Sequence, residues 1–429
     1  MSSRIGQIVV RYDRPAEYML AGVPFLARVI LTALNGAGAA AGVRPQVAVA
    51  GTYSPAYRSA VEKLVGQVEP GTSIDWCGDT AALPAVKSPG SILVITAAGL
   101  FTAELVEALR SKAGHGNALA AAGAVVGKGL WLLTPAGYDD FAGDMAVAAT
   151  PVAATAENFC EVHDPLSLRQ AEKWLFRRFG KSTDGFISRY LNRPVSTWVS
   201  RRLVRTPVTP NILTLLTASS AFLMFAVLQK GTAITMAVGC LLYHVTSIVD
   251  GFDGEVARAK FLSTRRGASF DTAVDMATNI LFIIGLTIGL AKIYGAAYLM
   301  LGGLVAITAL VGIALMTYVV WKGPKGGSFD VLQLTIRRRF TGWPVLLGLF
   351  EVANAIMKRD FFALTFGLLG IAGFAQVILW LLAAGMIAWV LVIIVAAPLV
   401  IGADPSEILP DHIGGVVATK NSQPTRPGE

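Results

Sequence analysis

Charged residues and cysteines are both scarce in this sequence. Only 15% of its 429 residues are Asp, Glu, Lys or Arg, whereas 54% are hydrophobic, a balance that is unusual for a soluble protein. The three cysteines, Cys77, Cys160 and Cys240, are widely spaced and form neither a metal-binding pattern nor a disulfide framework. The opening segment lacks the apolar core and cleavage site of a signal peptide. We therefore expect the N-terminal part to stay in the cytoplasm.

The hydrophobic residues are unevenly distributed. Up to about residue 160, short apolar runs alternate with helical patterns such as Phe25–Leu34 and Thr102–Ser111, whereas residues 211–402 form long apolar stretches. Strands that alternate with helices predict a doubly wound, Rossmann-type α/β domain over residues 1–160. Four apolar runs are predicted as its buried parallel strands: Ile5–Val10, Gln46–Ala50, Ile92–Thr96 and Leu130–Leu133.

Residues 161–207 have a different character. The stretches Leu166–Arg178 and Phe186–Val204 are amphipathic, and the second contains Trp198 and four arginines. Basic amphipathic helices that contain Trp commonly lie in the membrane interface. The sequence predicts a linker of interfacial helices here, with a helix packed on the α/β domain as the open alternative.

A membrane domain is predicted over residues 208–403, because about 20 apolar residues cross the hydrocarbon core of a bilayer. It is expected to be all-helical with six spans, whose predicted limits are 211–229, 232–258, 268–291, 295–321, 361–379 and 380–402. Residues 404–429 are polar, contain Pro and Gly, and have no periodicity. They are predicted to be a disordered tail.

The net charge of +8 has a simpler explanation than nucleic-acid binding, because many basic residues flank the apolar spans on one side. With the N-terminus inside, only Lys230 and Lys292 fall in the outer loops. The cytoplasmic loops contain Arg258, Lys260, Arg265, Arg266, Lys322, Lys325, Arg337, Arg338, Arg339, Lys358 and Arg359. We expect a protein of the inner (cytoplasmic) membrane with its N-terminal domain in the cytoplasm and no nucleic-acid partner.

Four aspartates lie near the cytoplasmic ends of the second and third predicted spans. Asp250 and Asp253 belong to SIVDGFDGEVARAK, and Asp271 and Asp275 belong to GASFDTAVDMATN. One unpaired charge at the bilayer centre costs about 2.5–3.5 kcal/mol even on the mildest scale. Four carboxylates would also repel one another, so a cation is expected to neutralise them.

The spacing of these acids predicts a metal site. Asp250 and Asp253 are three residues apart and Asp271 and Asp275 are four apart, so each pair shares one helix face. Carboxylate oxygens favour Mg²⁺, Mn²⁺ or Ca²⁺ over zinc. The small residues at 254, 257 and 267 would leave room for a bulky ligand.

These residues resemble the signature of the CDP-alcohol phosphotransferase (CDP-alcohol phosphatidyltransferase) family without a mismatch. Seven fixed positions match over 23 residues: Asp253, Gly254, Ala257, Arg258, Gly267, Asp271 and Asp275. Asp250 completes the four acids of the family, and Thr209-Pro210-Asn211 resembles the element that opens its first span. The segments around Asp184-Gly185 and Asn192-Arg193, and the pair Arg359-Asp360, resemble the di-myo-inositol-phosphate-phosphate synthase branch.

The resemblance implies transfer of a substituted phosphate from a CDP-alcohol to a lipid or soluble phosphoalcohol, with release of CMP. It implies two divalent ions, Mg²⁺ or Mn²⁺, bound by Asp250, Asp253, Asp271 and Asp275, with Asp275 as the general base. The implied nucleotide-binding residues are Asn211, Gly254, Ala257, Arg258 and Gly267. Arg337, Arg338 and Arg339 are candidates for binding the acceptor, with a role beside lipid headgroups as the alternative. A homodimer embedded among membrane lipids is also expected from the family.

The N-terminal domain resembles parts of the nucleotidyltransferase fold at Gly22–Leu26 and Ile92–Leu105. It departs from that fold because no Gly-rich phosphate loop follows the first strand, and Thr96-Ala97-Ala98 stands where an acidic metal ligand is expected. We therefore predict a degenerate, non-catalytic domain. Two alternatives stay open: a bifunctional cytidylyltransferase/phosphotransferase and a cation-coupled polytopic transporter.

Overall fold

The computed structural model describes most of the chain. The described residues are 4–12, 17–38, 44–78, 85–86, 90–96, 98–113, 116–121, 129–143, 147–180, 184–322 and 358–401. They form two compact units. The first unit comprises residues 1–181, 197–209 and 255–263, and the second comprises 182–196, 210–254 and 264–429. The predicted combination of an α/β part with a helical membrane part is confirmed, whereas the predicted domain limits stay a prediction.

The first unit is built around a seven-stranded sheet. Its strands are β1 (Ile5–Arg11), β4 (Gln46–Ala50), β5 (Ile74–Cys77), β6 (Ser91–Ile95), β8 (Ala118–Ala121), β9 (Gly129–Leu133) and β10 (Thr150–Val152), in the order β10-β8-β9-β6-β1-β4-β5. Two short antiparallel pairs accompany it: β2 (Met19–Leu20) with β3 (Val23–Pro24), and β7 (Gly99–Phe101) with β11 (Phe159–Glu161). The helices of this unit are α1 (Phe25–Ala37), α2 (Pro55–Val68), α3 (Ala103–Ala113), α4 (Pro135–Ala142) and α5 (Pro165–Arg177).

Both faces of the sheet are buried, as a doubly wound fold requires. Because successive strand residues point to opposite faces, Ile8 and Val10 join the cluster formed with α1, α2 and α3. Val9 joins the smaller cluster on the other face, which includes Tyr138 of α4. The apolar side chains of α5 pack against the first cluster, where Ala171 is fully buried.

One strand direction was predicted incorrectly. The four predicted strands all form, but β9, predicted at Leu130–Leu133 to be parallel, runs antiparallel to both β6 and β8. Only residues 122–128 connect β8 to β9. A parallel crossover needs a dozen or more residues, so this connection is too short to return the chain to the same end of the sheet.

The second unit is helical. A π-helical turn at Ser188–Asn192 leads into α6 (Arg193–Leu203), and the later helices are α7 (Pro210–Leu228), α8 (Ala233–Val249), α9 (Gly251–Lys260), α10 (Arg265–Tyr294), α11 (Ala297–Lys322), α12 (Arg359–Ile371) and α13 (Ala375–Ile401). Helices α6 and α9 cross the division between the units. Among the described residues, five helical segments are long and apolar enough to span a bilayer: Pro210–Leu228, Ala233–Lys260, Arg265–Tyr294, Ala297–Val319 and Ala375–Val395.

The predicted limits of the last two spans are wrong. The chain does not change helix at residues 379 and 380, because α12 ends at Ile371 and α13 begins at Ala375. Gly373 adopts a φ of 81° between them, a left-handed conformation that glycine reaches without a steric penalty and that commonly ends helices. Phe374 then donates its backbone N–H to Leu369 O at 2.8 Å, which closes the helix end.

Small residues allow the membrane helices to pack closely. A Cβ atom at Gly289 of α10 would contact the backbone carbonyl of Leu228 at the end of α7, whereas a Cβ at Gly303 of α11 would have open space. We expect Gly289→Ala to lower the free energy of unfolding by about 1–3 kcal/mol, because neither backbone can move away cheaply. The matched variant Gly303→Ala should be neutral or stabilising by up to about 1 kcal/mol. Thermal unfolding in detergent micelles measures both, and equal effects would contradict this packing.

Candidate functional site

Three predicted site aspartates meet in the second unit. Asp250 lies between α8 and α9, and Asp271 and Asp275 lie one turn apart on α10. Each of the three offers a carboxylate oxygen, and these oxygens all lie within 4.8 Å of one another. Two oxygens on opposite sides of a Mg²⁺ or Ca²⁺ ion are about 4–5 Å apart. This cluster therefore has dimensions that suit one divalent ion.

The surroundings of the Asp250 carboxylate are also suited to binding a cation. Its Oδ1 atom is buried and has no hydrogen-bond partner among the residues that the structure describes. A buried carboxylate oxygen that accepts no hydrogen bond is costly, and natural proteins reserve such atoms for ions, water or catalysis. The donor set of three hard carboxylates matches the ligand preference of Mg²⁺ and Mn²⁺.

Asp253 lies beside this cluster and has partners of its own. It is 6% exposed and sits in the first turn of α9. Its carboxylate accepts hydrogen bonds from Thr214 Oγ1 of α7 and from the backbone N–H of Gly254. It also lies within hydrogen-bonding reach of Asp271. The structure thus places the fourth acid next to the other three, and its role as a metal ligand stays a prediction.

Thr214 was not predicted as a site residue, although it lies one turn after the Thr209-Pro210-Asn211 element. It is 3% exposed and donates its hydroxyl hydrogen to Asp253. We expect Thr214→Val to reduce activity and to lower the free energy of unfolding by about 1–3 kcal/mol, since a buried carboxylate oxygen loses its donor. Thr214→Ser, which keeps the hydroxyl, should retain most of both. A valine variant as active and stable as the serine variant would contradict this role.

The predicted nucleotide-binding residues lie on the same elements. Thr264 caps the N-terminus of α10 by accepting the backbone N–H of Gly267 at 3.0 Å. A Cβ atom at Gly267 would lie 3.8 Å from Oδ1 of Asn211, so these two predicted residues are neighbours. Gly254 and Ala257 are half-buried on α9.

Of the four arginines predicted to bind phosphate groups, the structure describes one, Arg258. Arg258 belongs to the part of α9 in the first unit, where its guanidinium lies 5.6 Å from the ring centre of Phe179. Its contact with phosphate stays a prediction. Arg337, Arg338 and Arg339 lie outside the described residues.

Arg359 is the second residue that the sequence did not assign to the site. It opens α12, and its guanidinium donates a hydrogen bond to Asp275 Oδ1 while Nη2 lies 3.3 Å from Asp250 Oδ2. Only the resemblance of Arg359-Asp360 to one family branch drew attention to this position. An arginine at the start of an apolar helix is a candidate partner for the four aspartates, because intramembrane acids need a balancing positive charge.

The linker residues that resemble the same branch also have a structural role. Asp184 pairs with Arg193 in a two-point contact, with Oδ2 to Nε at 2.8 Å and Oδ1 to Nη2 at 3.1 Å. A Cβ atom at Gly185 would collide with the carboxylate of Asp360. Asp360 in turn accepts the backbone N–H of Ser188 at 2.5 Å. These contacts fix the π-helical turn to the start of α12.

Comparison with known proteins agrees with this geometry. Residues 207–330 match the family model for CDP-alcohol phosphatidyltransferase. The curated relatives are named as bifunctional IPC transferases and DIPP synthases. The chain is 34% identical to that of Thermococcus kodakarensis over 159 residues, which are 37% of this chain and 34% of the relative. It is 39% identical to that of Aquifex aeolicus over 131 residues, or 30% and 29% of the two chains.

The matched segments thus span about a third of the length of these relatives. The names of these relatives agree with the di-myo-inositol-phosphate-phosphate synthase branch, which the linker residues and Arg359-Asp360 predicted. The family match covers the helices that carry the aspartates and Thr214, from α7 to α10. Over residues 207–330, this membrane protein is therefore similar to CDP-alcohol phosphatidyltransferases.

Proposed function

We propose that the chain transfers a substituted phosphate group from a CDP-alcohol to an acceptor alcohol and releases CMP. The observation that carries this proposal is the meeting of Asp250, Asp271 and Asp275 within 4.8 Å at the junction of α8, α9 and α10. The matched family domain and the names of the relatives favour inositol-phosphate or phospholipid synthesis. We place the site at the cytoplasmic face of the inner membrane, as the basic loops predict.

Different residues of the site would bind the metal ions and the nucleotide. Asp250, Asp271 and Asp275 would hold Mg²⁺ or Mn²⁺, with Asp253 completing the set for a second ion. Divalent ions bound there would neutralise the donor diphosphate and stabilise the CMP that leaves. The nucleotide would be bound by Asn211, Gly254, Ala257 and Gly267, and Arg258 would contact a phosphate.

Asp275 would act as the general base. It accepts the proton of the acceptor hydroxyl while that oxygen forms a bond to the phosphorus that bears the alcohol of the donor. The bond from this phosphorus to the bridging oxygen breaks, and the electron pair leaves with CMP. A base within hydrogen-bonding reach contributes about 10²–10⁴-fold to such a step. Arg337, Arg338 and Arg339 are proposed to bind the phosphate of a lipid or soluble acceptor, and the working protein is proposed to be a homodimer surrounded by membrane lipids.

The test is an assay of CMP release by the purified full chain. A panel of CDP-alcohols is combined with soluble phosphoalcohols or lipid acceptors in the presence of Mg²⁺ or Mn²⁺. The proposal predicts CMP and a phosphodiester product in equal amounts with at least one donor and acceptor pair. Ion transport by the reconstituted protein without CMP release from any donor would favour the transporter instead.

A bifunctional enzyme is the second candidate, because the relatives bear that description and the first unit has the doubly wound fold. Tyr12 follows β1 and Tyr53 follows β4, both 4% exposed, and neither hydroxyl has a partner among the described residues. Such a sheet binds ligands at the carboxyl ends of its strands. Against catalysis there, the Thr96 hydroxyl is engaged by the backbone of Gly129, accepting its N–H and donating to its carbonyl.

The two candidates are separated by supplying CTP and a phosphoalcohol to the Asp275→Asn variant. Pyrophosphate release would show that the first unit makes the CDP-alcohol independently. We expect none, because the first unit lacks the phosphate loop and the acidic ligand. Clear turnover would show that the domain is not degenerate.

A further inference from the structure

Arg359 is a cation that contacts the aspartate cluster directly. Its Nη1 donates to Oδ1 of Asp275, and its Nη2 lies 3.3 Å from Oδ2 of Asp250. The Arg359 side chain is 21% exposed, as is that of Asp250. Two of the three clustered carboxylates therefore share one largely buried guanidinium. Ion pairs in such partly buried surroundings are screened much less than surface pairs.

The backbone at Arg359 is held in place by its sequence neighbour. Asp360 is 9% exposed and accepts the backbone N–H of Ser188, while Gly185 leaves room for its carboxylate. The start of α12 is thus tied to the π-helical turn by a buried polar contact. Arg359 reaches the cluster from a backbone that is held in place, unlike a solvated lysine or arginine at a loop tip.

The carboxylates of Asp250 and Asp275 cannot pair with a guanidinium and coordinate a divalent ion equally well at the same time. A metal ligand oxygen must lie about 2.0–2.6 Å from the ion, and Asp275 Oδ1 and Asp250 Oδ2 both face Arg359. A fixed positive charge a few ångströms away also repels a second cation, and this repulsion is strong away from bulk water. The binding of metal and the contact with Arg359 therefore oppose each other.

We propose that Arg359 is a resident counter-ion that competes with divalent cations for Asp250 and Asp275 and so weakens the metal affinity of the site. Arg359 acts through the metal ligands, which makes it a positioning residue for the transfer reaction. It stabilises the cluster of acids in the folded protein, and it has to withdraw from them when a divalent ion binds. This inference rests on the proposed function, because it requires that the cluster is a metal site.

The experiment is a Mn²⁺ titration of the purified full chain, followed by electron paramagnetic resonance of the free ion and without any substrate. We expect Arg359→Gln to bind Mn²⁺ at least about tenfold more tightly than the unaltered chain, since the repulsive charge is gone. Arg359→Lys, which keeps the charge but offers no two-point contact, should lie between them. The matched control is Arg266→Gln, which removes the same charge from an exposed position on α10.

Each outcome decides the inference. If the unaltered chain binds Mn²⁺ and neither Arg359 variant binds it more tightly, the proposed role of Arg359 is wrong. The proposed function would still stand. Equal tightening in Arg266→Gln would show a general charge effect and would also overturn it. Failure of every protein to bind Mn²⁺ would overturn the metal site itself, and with it the proposed function. If Arg359→Gln does not fold, as judged by gel filtration, the lysine variant alone decides by the same criterion.

Discussion

Replacing Asp275 with Asn is expected to lower CMP release by about 10²–10⁴-fold, the range that a general base contributes. The amide is nearly isosteric with the carboxylate but cannot accept the proton of the acceptor hydroxyl. It also supplies a neutral oxygen where the cluster of Asp250, Asp271 and Asp275 provides charged ones. The measurement is the initial rate of CMP release at saturating donor and acceptor.

The control for this prediction is Thr272→Val on the same helix. Thr272 is exposed, and its hydroxyl donates to the carbonyl of Ala268 within α10 at 2.9 Å. We expect Thr272→Val to change the rate of CMP release less than about threefold, since surface substitutions rarely cost more than about 0.5 kcal/mol. If Asp275→Asn keeps near-normal activity while Thr272→Val does the same, Asp275 is not the base.

Removal of divalent cations is expected to reduce CMP release by about 10²-fold or more. Metal ions contribute several kcal/mol of charge stabilisation to such reactions, and each 1.4 kcal/mol corresponds to a factor of ten. Treatment with EDTA followed by gel filtration should give an inactive protein that Mg²⁺ or Mn²⁺ reactivates. Zinc should not replace them, because the clustered ligands are all carboxylates.

Two results would separate a metal effect from unfolding. The protein treated with EDTA should keep its helical circular dichroism, since Arg359 still pairs with Asp250 and Asp275. Reactivation should then be complete when the metal is returned. Full activity after exhaustive chelation would contradict metal-dependent transfer by this site.

The sequence predicted the clustering of the aspartates because that clustering depends partly on local spacing. Asp271 and Asp275 are one helical turn apart, so any helix through them presents both on one side. Apolar length likewise predicted the first four spans, since a bilayer imposes a minimum length on each helix. Strand positions followed from short apolar runs in the same way.

The features that the sequence did not predict depend on contacts between distant segments. Arg359 reaches Asp275 across 84 positions in the chain, and the local pattern of each helix does not specify which acid the arginine meets. The direction of β9 follows from the length of one connection, which its apolar run does not reveal. The break at Gly373 depends on a backbone angle, and the same stretch holds another glycine, Gly385, inside the continuous helix α13.

Anomalous X-ray diffraction from crystals of the full chain grown with Mn²⁺ tests most directly whether the three clustered aspartates bind a metal ion. We expect a manganese peak about 2.0–2.6 Å from carboxylate oxygens of Asp250, Asp271 and Asp275, with the Arg359 guanidinium moved away from at least one of them. Acids that diverge, or manganese bound only at other residues, would contradict it.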